Sequence, residues 1–229
     1  MCEYPFSELL DSTGVRKDSA TDSGPPASGS LGVMPELKTV CVFCGSNVGS
    51  HPAYTAAAKQ LGALLVRRQI GLVYGGGKVG LMGKIADAVL SAGGRVTGVI
   101  PQALMLKEIG HDGLTELKIV NSMHERKALM AELADGFIAL PGGFGTLDEF
   151  CEILTWSQLG LHHKPCGLLN VNGYYDHFSR LLDHAVDEQF LRPLHRAMVI
   201  SDNDPEGLLI RMMEYEAPLT GKWIDRSET

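Results

Sequence analysis

From Thr39 to Phe43 the chain reads TVCVF, a short apolar and β-branched run that stops at the polar turn CGSN. A run that is apolar on both of its alternating faces suits a strand buried on both sides. Helix-like and strand-like segments then alternate. Residues 52–68 read as helix, 71–74 (GLVY) as strand, 80–92 as helix and 95–100 (RVTGVI) as strand. The order continues with LTELKIV at 114–120, a helix over 124–134, GFIAL at 136–140 and a helix over 147–159. CGLLNV at 166–171, a helix over 175–187, MVIS at 198–201 and a helix around 205–215 complete the series. Alternation of this kind predicts an α/β fold, with crossover helices packed on both faces of a mostly parallel sheet.

One domain is expected over residues 37–216. From about 11 to 34 the sequence is rich in Ser, Gly, Pro, Asp and Thr, so residues 1–36 are expected to form a flexible arm. Residues 217–229 are expected to form a C-terminal tail. Ligands of open parallel sheets sit outside the carboxyl ends of the strands, which directs attention to the loops after Phe43, Tyr74 and Leu140.

Composition narrows the class. With 229 residues, 45% of them hydrophobic, the chain can bury one substantial core. A net charge of -7 argues against nucleic acid or an anionic membrane as the main partner, because either favours a basic face. No apolar run reaches the length of a membrane span, and the N-terminal MCEYPFSELLDSTG lacks the basic-then-apolar order of a secretory signal, so a cytoplasmic location is expected. The five cysteines, Cys2, Cys41, Cys44, Cys151 and Cys166, are odd in number and scattered, as expected of reduced thiols.

Two loops carry glycine clusters. After GLVY comes Gly75-Gly76-Gly77-Lys78-Val79-Gly80, which has the spacing of a dinucleotide fingerprint. The acid expected near the end of the next strand is missing, since that strand runs out as Val99-Ile100-Pro101-Gln102. A nucleotide P-loop fails as well, because Ile85 follows Gly83-Lys84 where a metal-binding hydroxyl is needed. A tight strand-to-helix turn and a ligand contact both remain open for this loop. The second loop, Pro141-Gly142-Gly143-Phe144-Gly145-Thr146, joins an apolar strand to a helix start. Backbone N–H groups there can converge on an oxyanion, and the helix dipole adds partial positive charge. Thr146 and Glu149 also spell the capping box T-x-x-E, so spacing alone leaves Glu149 equally readable as cap and as catalyst.

Arg126 is out of pattern. In MHERKALMAELAD it shares helical spacing with Leu129, Met130 and Leu133, which puts a cation in the middle of an apolar face. A cation in a first helical turn also opposes the macrodipole. Either a structural ion pair, with Asp87 or Glu152, or an active-site role would account for it.

CGSN, YGGGKVGLMG, MHERK, PGGFGTLDE and TWSQLGLHHKP, in this order, closely resemble the Lonely Guy family of cytokinin riboside 5'-monophosphate phosphoribohydrolases. The likeness runs over roughly residues 38–215. It implies a Rossmann-like fold, a homodimer and release of a free adenine-type base plus ribose 5-phosphate from AMP or prenylated AMP. It further implies that Arg126 and Glu149 are catalytic, which breaks the tie between cap and catalyst. The remaining substrate-binding residues expected are Gly45, Ser46, Gly75, Gly76, Gly77, Met123, Lys127, Gly142, Gly143, Gly145 and Thr146. No cofactor and no metal are expected.

Other readings were weighed. A carrier of nucleotides or phosphorylated cofactors would need the cradle but not Arg126 with Glu149. A nicotinamide enzyme built on GGGKVG would need the absent ribose-directed acid. Cys41-x-x-Cys44 lacks the second pair of a zinc ribbon and reads as buried thiols. His162-His163 reads as helix capping or entrance lining, Trp156 and Leu159 as core or dimer contact, and Lys127 most simply as a solvated lysine. Asp183, Asp187 and Glu188 read as a charged face. Some relatives are labelled lysine decarboxylases, yet no lysine is marked out for a Schiff base.

Overall fold

A computed structural model describes residues 37–105 and 110–218. The expected arm over 1–36 and nearly all of the expected tail lie outside the described residues.

The strands are β1 (Thr39–Phe43), β2 (Gly71–Tyr74), β3 (Val96–Pro101), β4 (Glu116–Val120), β5 (Gly136–Ala139), β6 (Cys166–Leu169) and β7 (Val199–Asp202). They form one sheet in the order β4-β3-β2-β1-β5-β6-β7, and every pairing is parallel. The helices are α1 (Pro52–Arg67), α2 (Gly80–Ser91), α3 (Gln102–Met105), α4 (Met123–Leu133), α5 (Phe144–Gln158), α6 (Asp176–Asp187), α7 (Pro193–Arg196) and α8 (Pro205–Met213). This is the α/β architecture that the alternation predicted and the Rossmann-like fold that the family resemblance implied. The short α3 and α7 were not foreseen, and β7 and β4 begin one and two residues later than the apolar runs.

The pleat divides the core. Val40, Val42, Leu72, Tyr74, Ile138 and Leu140 point to one face, where Leu61, Ile85 and Leu208 from α1, α2 and α8 cover them. Cys41, Phe43, Val73, Phe137 and Ala139 point to the other, under Met130 of α4 and Phe150 and Ile153 of α5. Alternation of period two along strands that are buried on both sides explains why every residue of TVCVF after Thr39 is apolar.

Connectivity reverses between β1 and β5. The chain winds outward from β1 through β2 and β3 to β4, then returns to β1's other edge and winds outward again through β6 to β7. At such a switch point the loops leave the sheet in opposite directions and open a crevice at the strand carboxyl ends. The loops after Phe43 and Leu140 border that crevice.

Glycine permits the tightest helix contact. On α1, a Cβ at Gly62 would stand 2.9 Å from Ala88 Cβ and 3.1 Å from Ile85 O of α2. Gly62→Val should therefore overpack this crossing and lower unfolding free energy by about 1–3 kcal/mol in urea titration. An unchanged midpoint would mean that α1 and α2 can part without loss.

Candidate functional site

Three loops meet at the crevice. Gly45 N donates to Pro141 O at 3.1 Å, and Leu81 N donates to Gly45 O at 3.0 Å. The approach is too close for side chains. A Cβ on Gly80, whose φ is +59°, would overlap the backbone of Ser46, and one on Gly142 would overlap Thr146 Oγ1.

The glycine loop after Leu140 becomes helix earlier than expected. Gly143 is the N-cap of α5, so Phe144, Gly145 and Thr146 form its first turn and no side chain caps them. Their N–H groups are among those a helix leaves unbonded at its start. Glu149 lies in the second turn, so the capping box T-x-x-E is not formed. The box motif appears instead at α4, where Ser122 Oγ accepts from Glu125 N at 3.1 Å and Glu125 Oε2 accepts from Asn121 N at 2.8 Å.

That cap fixes the first turn of α4 and with it Arg126. Arg126 and Glu149 are 6% and 8% exposed, and Arg126 Nη2 donates to Glu149 Oε1 at 3.2 Å. The structural partners considered from sequence are engaged elsewhere. Asp87 pairs with His111 at 3.0 Å, and Glu152 pairs with Lys127 at 3.0 Å. Arg126 Nε is buried with no hydrogen-bond partner among the described residues. Gly75 explains how the guanidinium fits, because a Cβ there would overlap Arg126 Nη2.

A cavity of about 250 Å³ opens over this pair. Of the residues expected to bind substrate, it is lined by Gly45, Ser46, Met123, Arg126, Gly143, Gly145, Thr146 and Glu149. Gly142 lines an adjoining hollow of about 240 Å³, which shares Gly45, Ser46 and Gly143 with the first and is walled by Tyr54 and Tyr174. Together they reach the size of small-ligand sites, about 300–1,000 Å³. Gly75, Gly76, Gly77 and Lys127 line neither of them. Gly76, at φ +77°, and Gly77 serve the turn, with Gly76 O accepting from His111 N at 3.2 Å and Gly77 bridged to Gly110. Lys127 is not a solvated lysine. Only 11% of its side chain is exposed, and it pairs with Asp148 at 3.3 Å as well as with Glu152.

Sequence reasoning missed Cys44, Met82, Leu104, Phe144 and Asp148 in the cavity wall. Phe144, 94% exposed at the start of α5, was the one legible signal, being a large apolar residue in a glycine turn. Tyr174 and Tyr175 were missed as braces: their hydroxyls donate to Gly142 O and Leu140 O, holding the loop from behind.

Two larger hollows lie away from the strand carboxyl ends. One of about 430 Å³ lies at the amino ends of β1, β2 and β3, away from the crevice. Another, of about 670 Å³, lies between α4 and α5 on their outer side and is lined in part by Trp156 and His162. His162 is structural, with Nε2 2.9 Å from Ile153 O and Nδ1 accepting from Lys164 N at 3.1 Å. Asp183 pairs with Arg196 at 2.7 Å, in keeping with a charged outer face on α6. Among the described residues no cluster of His, Cys, Asp or Glu could hold a metal ion, and no helix is long and apolar enough to cross a membrane.

Comparison with known proteins adds the following. The model of a family described as possible lysine decarboxylase matches residues 82–212. A cytokinin riboside 5'-monophosphate phosphoribohydrolase of Arabidopsis thaliana is 53% identical over 180 residues, spanning 79% of this chain and 83% of the relative. A second Arabidopsis thaliana protein of that name is 49% identical over 79% of this chain and 84% of its own. Among solved structures, the molybdenum cofactor carrier protein of Chlamydomonas reinhardtii superposes with a TM-score of 0.60 at 18% identity, over 78% of this chain and 98% of its own. At that identity the likeness concerns the fold alone.

Burial pushes the Cys44 thiol well above its usual range, and the Glu149 carboxylate adds to the effect, with Arg126 partly offsetting both. Cys41 is raised for the same reasons, and Cys166 by burial. The thiolate is the charged, nucleophilic form, so raising the pKa keeps these groups protonated as pH rises. Iodoacetamide at pH 8–9 should accordingly leave the buried Cys41, Cys44 and Cys166 unmodified in the native protein, while Cys151 is alkylated slowly, since it is exposed although partial burial and Asp148 raise its pKa too. Peptide mass mapping reads the result, and rapid native alkylation of Cys44 would contradict its burial.

Proposed function

This chain belongs to the cytokinin riboside 5'-monophosphate phosphoribohydrolase family, and on that footing we propose that it cleaves N6-modified adenosine 5'-monophosphates with Glu149 as its reacting carboxylate. The observation that carries the assignment of roles is the buried Arg126–Glu149 pair at the floor of the crevice. In the reaction the C–N bond between sugar and base breaks, water supplies a hydroxyl to the anomeric carbon, and the base leaves with a proton as ribose 5-phosphate is released.

The transition state of such a cleavage has oxocarbenium character, so a fixed negative charge beside the anomeric carbon lowers the barrier. Glu149 supplies that charge and accepts a proton from the attacking water. Arg126 orients it and compensates its charge where burial would otherwise be costly. The first-turn amides of α5, at Phe144, Gly145 and Thr146, with Gly142 and Gly143 before them, hold the 5'-phosphate. A Cβ at Gly143 or Gly145 would meet nothing within 4 Å. Protein packing does not require glycine there, and room for a bound anion does. Gly45, Ser46 and Met123 contact the rest of the nucleotide.

The two-carboxylate arrangement of many glycosidases finds no support, because the neighbouring Asp148 is 61% exposed and tied to Lys127. Decarboxylation of lysine through a Schiff base finds none either, since no lysine lines the cavity among the described residues. Homodimerisation and the choice between AMP and prenylated AMP belong to the same proposal, with Met123 and Phe144 exposed beside the cavity as apolar surface for either purpose. The free thiols of Cys41, Cys44, Cys151 and Cys166 suit a reducing, cytoplasmic setting.

Glu149→Gln should retain nucleotide binding and lose at least about 10² in turnover, by analogy with removal of single electrostatic groups. Release of free base from monophosphates and from the matching nucleosides, followed by chromatography, tests both halves of the reading. Near-normal turnover by Glu149→Gln would remove the carboxylate from the mechanism, and equal cleavage of nucleosides would remove the phosphate anchor. Gly75→Ala offers an independent check. The added methyl would overlap the guanidinium and stand 3.5 Å from Met82 Sδ, so the variant should stay folded with a lowered melting temperature and lose roughly tenfold or more in kcat. Full activity in Gly75→Ala would mean that the position of Arg126 is immaterial.

A further inference from the structure

Arg126 and Lys127 are consecutive on α4, and both reach α5. Arg126 enters the crevice and meets Glu149 at 3.2 Å. Lys127 passes outside the cavity and meets Asp148 at 3.3 Å and Glu152 at 3.0 Å. Those two acids are four residues apart, hence stacked on one face of α5, with Glu149 roughly a quarter-turn from Asp148. Three carboxylates thus share one side of the helix, and α4 answers them with two cations.

Lys127 is the more constrained of the two in one respect. Its ammonium bridges two acids one helical turn apart on α5 with little of its side chain exposed, whereas surface lysines lose rotamer entropy for a net gain near zero. Burial alone would pull its pKa down, but the bonds to Glu152 and Asp148 outweigh burial and raise it. A lysine held this way is fully charged and committed to α5.

We infer that Lys127 is a positioning residue: by pairing with both Asp148 and Glu152 of α5 it keeps α4 in register with α5 and keeps Arg126 facing Glu149. The inference rests on the reading of Glu149 as the reacting carboxylate. It also assigns Lys127 a place outside the substrate contacts that sequence had suggested for it.

The groups around Glu149 are Arg126 of α4, which pairs with it, the buried thiols of Cys41 on β1 and of Cys44 just after it, which feel its charge, and along the same helix Asp148 and Glu152, both paired with Lys127. The thiols stay neutral, so the charge balance around Glu149 is set by two cations and two further acids. Removing Lys127 leaves that balance more negative, which favours the protonated form of every acid in the cluster. Removing the charge of Glu152 does the reverse.

The experiment is a kcat, KM and pH-rate comparison of the full chain, using a cytokinin riboside monophosphate as substrate. Lys127→Met should lower kcat about tenfold or more, change KM less than threefold, and move the acidic limb of the profile up by roughly half a unit to one unit. Lys127→Arg should restore most of kcat. Glu152→Gln should move the acidic limb down, and this opposite sign separates charge positioning from general damage. Should Lys127→Met fail to fold, Glu152→Gln still decides: a downward shift supports the inference, and no shift or an upward one overturns it. A large rise in KM with kcat kept in Lys127→Met would make Lys127 a substrate contact and overturn the inference as well. If Glu149→Gln stays active, the reading of the carboxylate fails. If Glu149→Gln is inactive while neither Lys127→Met nor Glu152→Gln moves the limb, the positioning role alone fails.

Discussion

A buried guanidinium against a buried carboxylate, Arg126 against Glu149, is the constraint around which the rest of this crevice is arranged. Taking both charges out of water costs several kcal/mol per ion, which the 3.2 Å bond between them offsets in part. The surroundings therefore have to be built for the pair. Gly75 leaves space for the guanidinium, the Ser122–Glu125 cap fixes the turn from which Arg126 departs, and the early start of α5 puts Glu149 in its second turn. The buried Arg126 Nε, with no hydrogen-bond partner among the described residues, is a further cost. Structural economy would have replaced the pair by apolar residues, so its presence argues for chemistry.

The sheet supplies the location. Because β1 and β5 are neighbours while the chain winds away from them in both directions, their loops part and leave the crevice uncovered. Gly45, Gly80 and Gly142 then allow three backbones to approach so closely that no side chain separates them. The hydroxyls of Tyr174 and Tyr175 brace the glycine loop through Gly142 O and Leu140 O. Close backbone contact of this kind suits a backbone-lined anion seat, since its donors cannot rearrange without moving the strands.

Much of this was legible in the sequence, and the misses have physical causes. Every long strand and helix was visible because apolar periodicity reports burial directly, as in TVCVF and GFIAL. Arg126 was visible because it violated that periodicity. The role of Gly75 was not, because its partner lies 51 positions away and only a fold brings a Cβ and a guanidinium together. Lys127 was misjudged for a similar reason, as its acids stand on another helix. Thr146 and Glu149 were read as a possible cap because T-x-x-E is a local pattern, and local patterns do not say where a helix begins. The start at Phe144 was hidden by two glycines, poor helix formers that are tolerated in a first turn.

The same helix start also bears on why one element could perform both binding and reaction. Thr146 and Glu149 are three residues apart, about 4.5 Å along the axis. Over that distance α5 offers first its unbonded amides, which favour an anion, and then a carboxylate, which favours a developing cation. The two preferences do not compete, because the amides point along the axis while the side chain leaves it sideways toward Arg126. A phosphate fixed at the helix start would leave the attached sugar little freedom to be anywhere but beside the carboxylate. A cofactor carrier of similar fold could use the first half of this device without the second. What distinguishes the present crevice is therefore the buried pair rather than the cradle, and on the reading proposed above binding energy gained at the amides would be turned to account one helical turn deeper.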